Sequence, residues 1–536
     1  MKMRAFYFIA LVVVMLLQAA NVKSNGTLSS ESYNILMLLP LSSQSHRTLF
    51  LTLAETLAER GHKIELLVNH PPISNNPNIR EIYHGLPHFQ EDKFQLFSAR
   101  DHPWEIFSLV MEGAPLMTRD LYELPEVMAL YERRKEFHLV MVDNFYNQMM
   151  FPFAHETPLA MLVASGMDPI QSAIMGNVIN PSYVPNREVM LLQPMGFWQR
   201  MINVAMHFMA GFIKHYVILP KIQAEISSIF PDVPALEEIE RNQSLVLLNY
   251  CPSFDVTIPL LPLQVDVGCL HCRPGRSLSE DLEDWITGAG ESGVIYFSLG
   301  TVAQGITLPD HWRDTFVKVF SRLEERVVWK YEGEIPGVSD NVLIRKWLPQ
   351  QDVLAHQNVK LFISHAGMLS TQEAVYHATP VLAIPIFADQ PRNAHLLHVA
   401  KLGISVNWED LTEDYLLDMI KNISESEVYI QNIKSASKIL RDHPVPPRDR
   451  AAFWTEYVIR HKGAHHLRSP SSSLSWVQFL LLDVAVCCTV IFSIVFITLY
   501  LIISSIFRRT RSNANRKNVK HSSRRSKRKV AKCKQK

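Results

Sequence analysis

Apolar residues fall along this chain in short unbroken runs, and the stretches between them carry helical spacing. "YNILMLLP" (Tyr33–Pro40) reads as a buried strand, followed by the polar loop "LSSQSH". "RTLFLTLAETLAERG" then places apolar residues at helical intervals, with Gly61 as the stop, and "KIELLV" (Lys63–Val68) is the next strand. Strand, helix, strand in this order is the building block of a parallel sheet. "FHLVMVDNF" adds another buried strand with Asp143 at its C-terminal end. The polar, turn-rich stretch "GCLHCRPGRSLSEDLEDW" interrupts the pattern and reads as a connector. A second series follows. It comprises the strand "GVIYFSLG" with its glycine loop, a helix over Asp310–Glu325, the strands "RVVWK", "VLIRKW" and "VKLFISH", a helix, "PVLAIP", and a helix over Pro391–Leu402. Two doubly wound α/β domains are expected, at 23–268 and 269–463. No G-x-G-x-x-G follows the first strand, so no dinucleotide cofactor is indicated.

Two further apolar runs lie near the ends. Lys2 and Arg4 precede the run Ala5–Leu17, which small and polar residues close. That is the pattern of a cleaved signal peptide, taken as 1–22. Val484–Phe507 has no charged residue and is long enough to cross a bilayer. Arg508, Arg509 and Arg511 follow it directly, and positive charge stays cytosolic. The expected topology is single-pass type I: a luminal body, a stalk at 464–483, a span at 484–507 and a basic cytosolic tail at 508–536. "RAAFWTEYVIRHKG" (Arg450–Gly463) is an amphipathic helix before the stalk, which includes "SPSSSLS". The final "KCKQK" resembles the K-x-K-x-x retrieval signal of endoplasmic-reticulum membrane proteins; a polybasic patch on anionic lipid is the alternative.

Charge sharpens this division. Of 53 Lys and Arg, 14 lie in 508–536, which leaves 39 in the rest of the chain against 52 Asp and Glu. An acidic body gives no ground for nucleic-acid binding. The sequons at Asn25, Asn242 and Asn422 all fall on the expected luminal side. Of the six cysteines only Cys251, Cys269 and Cys272 are luminal, so no disulfide scaffold is expected, and "CLHC" lacks the second half of a zinc site. Met141–Ala210 holds 11 of the 20 methionines, which suits either a pocket for varied apolar ligands or ordinary core filling.

The candidate chemistry centres on "HAGMLSTQEA" (His365–Ala374). In open α/β sheets, ligands bind beyond the carboxyl ends of the strands. His365 closes a strand, and Gly367 opens a helix whose first turn offers unpaired N–H groups to a phosphate. Ser370 and Glu373 share a helix face, the hydroxyl suited to phosphate and the carboxylate to ribose hydroxyls. An ordinary capped helix start has the same residue types. The neighbours favour the site: Trp347 and Gln350 of "WLPQQD" suit a base, and Asp389, Gln390 and Asn393 of "ADQPRN" suit sugar hydroxyls.

Residues Trp347–Gln390, with "WLPQQD", "STQEA" and "ADQ", resemble the signature of the UDP-glycosyltransferase family, most of all its animal microsomal, insect-like branch. "PSYVP", "FSLGT" and "RHKGAHHLR" are also similar to family features. The resemblance implies the GT-B fold, two Rossmann-like domains facing across a cleft. The N-terminal domain would take the acceptor, the C-terminal domain the UDP-sugar, and the helix Arg450–Gly463 would cross back to the N-terminal domain. Trp347 would stack on uracil and Gln350 support the nucleoside. His365, Gly367 and Ser370 would meet the diphosphate, Glu373 the ribose, and Asp389 and Gln390 the sugar. Ser298 and Thr301 join the donor site. His46 would be the base and Asp143 its orienting partner; a neutral histidine suits proton removal from an alcohol or phenol.

The implied reaction is inverting hexose transfer, most readily of glucose, to small lipophilic alcohols or phenols, which fits detoxification, odorant clearance or pigment conjugation. UDP-sugar is then a co-substrate, no cofactor or metal is implied, and no D-x-D pair occurs. Glucuronosyl transfer on the same fold and a non-catalytic, membrane-anchored lipophile binder are the alternatives. Self-association is left open. The departures from the family pattern are alanines at 366, 378 and 383, where glycine is usual, and Val302 after Thr301. Alanine at 366 would either crowd the diphosphate or meet a backbone that requires φ > 0.

Overall fold

The computed structural model describes residues 31–87, 97, 100, 103–187, 189–191 and 193–533. The expected signal peptide, Asn25 and the last three residues lie outside them. Two parallel sheets organise residues up to Ser469. The first is built from β1 (Asn34–Leu39), β2 (Lys63–Val68), β3 (Ile79–Tyr83), β4 (Leu139–Asp143), β5 (Leu159–Val163), β6 (Leu245–Leu248) and β7 (Gln264–Asp266). Their order across the sheet is β3-β2-β1-β4-β5-β6-β7. The second comprises β8 (Val294–Ser298), β9 (Arg326–Lys330), β10 (Val342–Arg345), β11 (Val359–Ser364), β12 (Val381–Ala383) and β13 (Gly403–Ser405), in the order β10-β9-β8-β11-β12-β13. Both orders reverse direction once, between β1 and β4 and between β8 and β11. Reversal opens a crevice at the carboxyl ends of the flanking strands, because the two connections leave on opposite faces.

The helices used below are α1 (Gln44–Glu59), α2 (Phe197–Phe212), α3 (Leu219–Ile229), α4 (Gln350–Leu354), α5 (Met368–His377), α6 (Gln390–Val399), α7 (Pro447–Arg460) and α8 (Leu482–Cys533). Strands buried on both faces are near-continuous apolar runs, and β4, β5, β6 and β8 are buried throughout, polar only at the end residues Asp143 and Ser298. In β8, Val294 and Tyr296 enter the core on one side of the sheet, while Ile295 and Phe297 enter the core on the other. The GT-B expectation of two doubly wound sheets is met.

Three local findings sharpen the sequence reading. Helix α7 packs Ala451, Ala452, Val458 and Ile459 into the core of the first sheet, although it follows the second in sequence. Arg60 at the end of α1 binds Asp449 at 2.7 Å across that contact. The methionine cluster divides: Met141, Met149, Met150, Met161, Met167, Met175 and Met195 are buried core, whereas Met190, Met201 and Met209 are exposed. Cys269 and Cys272 are joined in a disulfide, a pairing that spacing alone did not reveal.

The residues after Ser469 form a separate unit. Within it α8 is a single 52-residue helix, so the basic tail continues the helix of the apolar run instead of breaking from it. Its portion Leu482–Arg524 contains an 18-residue window with a mean hydropathy of 2.8 and no buried share, which makes it a candidate membrane span.

Candidate active site

The first crevice holds a histidine–carboxylate pair. His46 lies in the first turn of α1, where its backbone N–H meets the capping hydroxyl of Ser43 at 3.4 Å. Its Nδ1 is 2.7 Å from Oδ2 of Asp143, the last residue of β4, whose side chain is fully buried. The approach is fixed from the backbone. Asn147 accepts a hydrogen bond from the Leu41 N–H at 3.0 Å and donates to the Leu41 carbonyl at 2.8 Å, which clamps the loop after β1 to the loop after β4. Burial alone would lower the His46 pKa, but the charge and hydrogen bond of Asp143 outweigh it, and Asp389 adds to the rise. The net result is a pKa above the ordinary 6.5. With Nδ1 directed at the carboxylate, Nε2 is left to accept a proton.

The second crevice holds His365, one residue past β11. Its ring lies between two glycines. A Cβ at Gly300 would stand 2.6 Å from the ring, and one at Gly367 2.5 Å from Nε2. Gly300 also has φ +89, and its N–H donates to the buried Ser298 hydroxyl at 3.3 Å. Thr301 follows in the same loop, half-buried. Burial, with a smaller contribution from Lys330, lowers the His365 pKa to about 4 against the opposing pull of Asp389. His365 is therefore a neutral ring beside the N-terminus of α5. Lys330 braces the loop: its Nζ donates to the Gly300 carbonyl at 2.9 Å and pairs with Glu332 at 2.6 Å.

The alanine beside Gly367 resolves one of the two readings of position 366. Ala366 has φ +61 and is fully buried, its methyl in the core beneath the sheet. It sits in the left-handed region, at a cost of about 1–2 kcal/mol. Ala378, which caps α5, has φ +60 and the same strain. Ala383 lies in β12 in ordinary extended backbone.

Gln350, Ser370 and Glu373 form one hydrogen-bonded cluster. Gln350 Nε2 donates to Ser370 Oγ at 3.0 Å and to Glu373 Oε2 at 2.5 Å, and its Oε1 accepts from Tyr296 at 3.2 Å. Ser370 is thus engaged by the Gln350 amide. His271, inside the disulfide loop, was not singled out from sequence. It sets its Nε2 3.3 Å from Glu373 Oε1 and is itself almost fully buried. Both Glu373 oxygens are held before any ligand arrives. Trp347 stands apart, 65% exposed just beyond β10, with Lys330 Nζ 6.0 Å from its ring centre. An exposed indole offers a flat face on which a base can stack.

Asp389 and Gln390 open α6. Gln390 Oε1 accepts from the N–H groups of Ile386 and Phe387 at 2.8 and 3.0 Å, which shapes the loop and leaves its amide N–H₂ for a ligand. Asn393, expected as a third sugar reader, is instead fully buried; its Nδ2 donates to Asp389 at 2.8 Å and to the Ala366 carbonyl at 3.0 Å. It is a strut that holds Asp389 to the strained Ala366 loop. The two crevices meet: Arg392 of α6 pairs with Asp255 of the first half at 2.5 Å beside a small cavity that Ser165, Val184, Arg187 and Tyr250 also line. Asp389 and Arg187 both act on the charge of His46.

The family model described as "UDP-glucoronosyl and UDP-glucosyl transferase" matches residues 37–517. The chain belongs to the UDP-glycosyltransferase family. This glycosyltransferase is 33% identical over 474 residues to UDP-glycosyltransferase UGT5 of Dactylopius coccus, covering 84% of the chain and 88% of the relative. It is 28% identical to UDP-glucuronosyltransferase 2B7 of Homo sapiens, with 88% and 92% covered. The human 2-hydroxyacylsphingosine 1-beta-galactosyltransferase is 29% identical, with 85% of each chain covered. Among solved structures, the calicheamicin glycosyltransferase CalG4 covers 80% of this chain and 99% of its own, at a TM-score of 0.54 and 15% identity, a likeness of fold. The glycosyltransferase therefore carries its two histidines at the reversal points of its two sheets.

Proposed function

We propose that this enzyme transfers a hexose, most readily glucose, from a UDP-sugar to a hydroxyl of a small lipophilic acceptor with inversion at the anomeric carbon. The observation that carries the reading is the 2.7 Å His46–Asp143 pair at one reversal point, with the sugar-side Asp389 of the other half acting on the same imidazole. His46 Nε2 takes the acceptor proton as its oxygen attacks the anomeric carbon. The bond from that carbon to the diphosphate oxygen breaks, and UDP leaves with the electron pair. Asp143 stabilises the imidazolium that forms. The N–H groups at the start of α5 and neutral His365 meet the charge on the departing diphosphate. Trp347 stacks on uracil, the Gln350–Ser370–Glu373 cluster receives the nucleoside, and Asp389 and Gln390 hold the sugar. Gly367, Ser298 and Thr301 shape the diphosphate loop.

The apolar segment Val484–Phe507 and the basic residues that follow it support anchoring in the endoplasmic-reticulum membrane with a luminal body. Arg187 favours glucuronate as a second donor: it is half-buried, lines the cavity between the halves, and acts on His46. The test is UDP release from the full chain in membranes, with UDP-glucose and UDP-glucuronate side by side and a panel of phenols. Glucose is expected to be the better donor. His46→Ala is expected to abolish acceptor-dependent release; unchanged release would remove the proposed base.

A further inference from the structure

Helix α2 and the π-helical turn that extends it (Ile213–Ile218) are built with their polarity reversed. The polar side chains point inward. Asn203 is fully buried; its Nδ2 donates to the carbonyls of Pro181 and Val184 at 2.6 and 2.8 Å, and its Oδ1 accepts from the Asn186 N–H at 2.7 Å. Lys214 pairs with the buried Glu240 at 2.7 Å. The apolar side chains point outward. Trp198, Met201, Ile202, Phe208, Phe212 and Tyr216 are each between 51% and 77% exposed. At ~100° per residue these six positions fall within about 120° of one another, on one stripe ~27 Å long at the rise of an α-helix. A soluble surface does not ordinarily present such a stripe uncovered.

The segment Phe197–Ile229 is long enough to cross a membrane and contains an 18-residue window with a mean hydropathy of 1.3. The topology forbids it. β5 precedes the segment, β6 follows it, and the two pair in parallel in one sheet, so the chain enters and leaves on the same side. Nor does the stripe suit a second copy of this chain. One helix face of this length offers roughly 300 Å², well below the ~800 Å² per partner of a stable dimer. Charge points to lipid. The body as a whole is acidic, yet from Val189 to Ala224 there is no Asp or Glu, and of the three cations Lys214 is paired inward with Glu240, which leaves Arg200 and Lys221. Aromatic rings, an indole at one end and a phenol at the other, suit the headgroup level of a bilayer. A bilayer is also within reach. Only residues 470–481 separate the body from α8, at most ~43 Å when extended.

We propose that the stripe Trp198–Tyr216 is a second, interfacial membrane contact that lies in the bilayer surface without spanning it. The tether argument rests on α8 being the anchor, and the experiment reads the two separately. The full chain, carrying a protease site inserted at 471–473, is reconstituted in phosphatidylcholine–phosphatidylserine vesicles, cut, and sedimented. The released body is expected to sediment with the vesicles. Trp198→Ser, Phe208→Ser and Phe212→Ser together are expected to lower the retained fraction by ~10-fold or more. Unchanged thermal stabilisation by UDP shows that this variant is folded, and Phe208→Asp alone, expected to act in the same direction, serves if it is not. A wild-type body that leaves the vesicles as a monomer overturns the proposal, and one that leaves as a dimer overturns it in favour of a second copy. Loss of the uncut chain to alkaline carbonate would refute the anchor alone, since retention of the cut body still reports on the stripe.

Discussion

His46 and His365 occupy equivalent ground. Each follows a strand that flanks the point where its sheet reverses, each lies at the start of a helix, and each is largely withdrawn from water. Their protonation nevertheless diverges. His46 meets the Asp143 carboxylate at 2.7 Å and its pKa rises; burial takes the His365 pKa down to about 4, with Asp389 opposing the fall and Lys330 adding to it. Burial works in the same direction on both, so the neighbouring charge decides between them. One crevice is suited to moving a proton, the other to receiving an anion with a rigid neutral donor and a helix N-terminus.

The sharpest break in this comparison is loss of the first ring. His46→Ala should lower kcat by ~10²–10⁴, with little change in KM for the UDP-sugar, measured by initial rates at saturating acceptor. A variant that lost donor affinity instead would move His46 into the binding half. Next is the packing around the second ring. Gly367→Ala puts a Cβ 2.5 Å from His365 Nε2 on an ordinary backbone, so the clash alone is tested. It should cost about 1–3 kcal/mol of stability and weaken UDP binding, read by thermal unfolding with and without UDP. Adding His365→Ala should recover much of the lost stability, since the two groups share one space.

The sequence made the two sheets legible because strands buried on both faces are written as unbroken apolar runs. The second half was plain for a further reason: its site residues lie in one stretch, Trp347 to Gln390. His46 and Asp143 are 97 residues apart, and only the strand order makes them neighbours. His271 was hidden because a disulfide loop, rather than any spacing, carries it to Glu373. Asn393 misled because its residue type suits a sugar as well as it suits a buried strut. The stripe on α2 was invisible to an apolar-inside reading, since its polar residues face the body.

The smallest effect concerns the alanines. Ala366→Gly relieves a left-handed backbone but adds freedom to the unfolded chain, so a gain of about 1 kcal/mol or less is expected, seen as a modest rise in melting temperature. Ala383→Gly, in β12, should destabilise by about 0.5–1 kcal/mol. Equal changes at the two sites would contradict the assignment of strain to position 366.

The pH dependence of kcat/KM for the wild type and Asp143→Asn tests the His46–Asp143 pair most directly. A protonated His46 cannot act as base, so activity should fall as pH drops through its pKa, above 6.5 in the wild type. Asparagine removes the charge that raises this pKa and leaves the burial that lowers it, so the acidic limb should move to lower pH while the plateau rate falls. An acidic limb that stays where it is in Asp143→Asn would contradict the pairing.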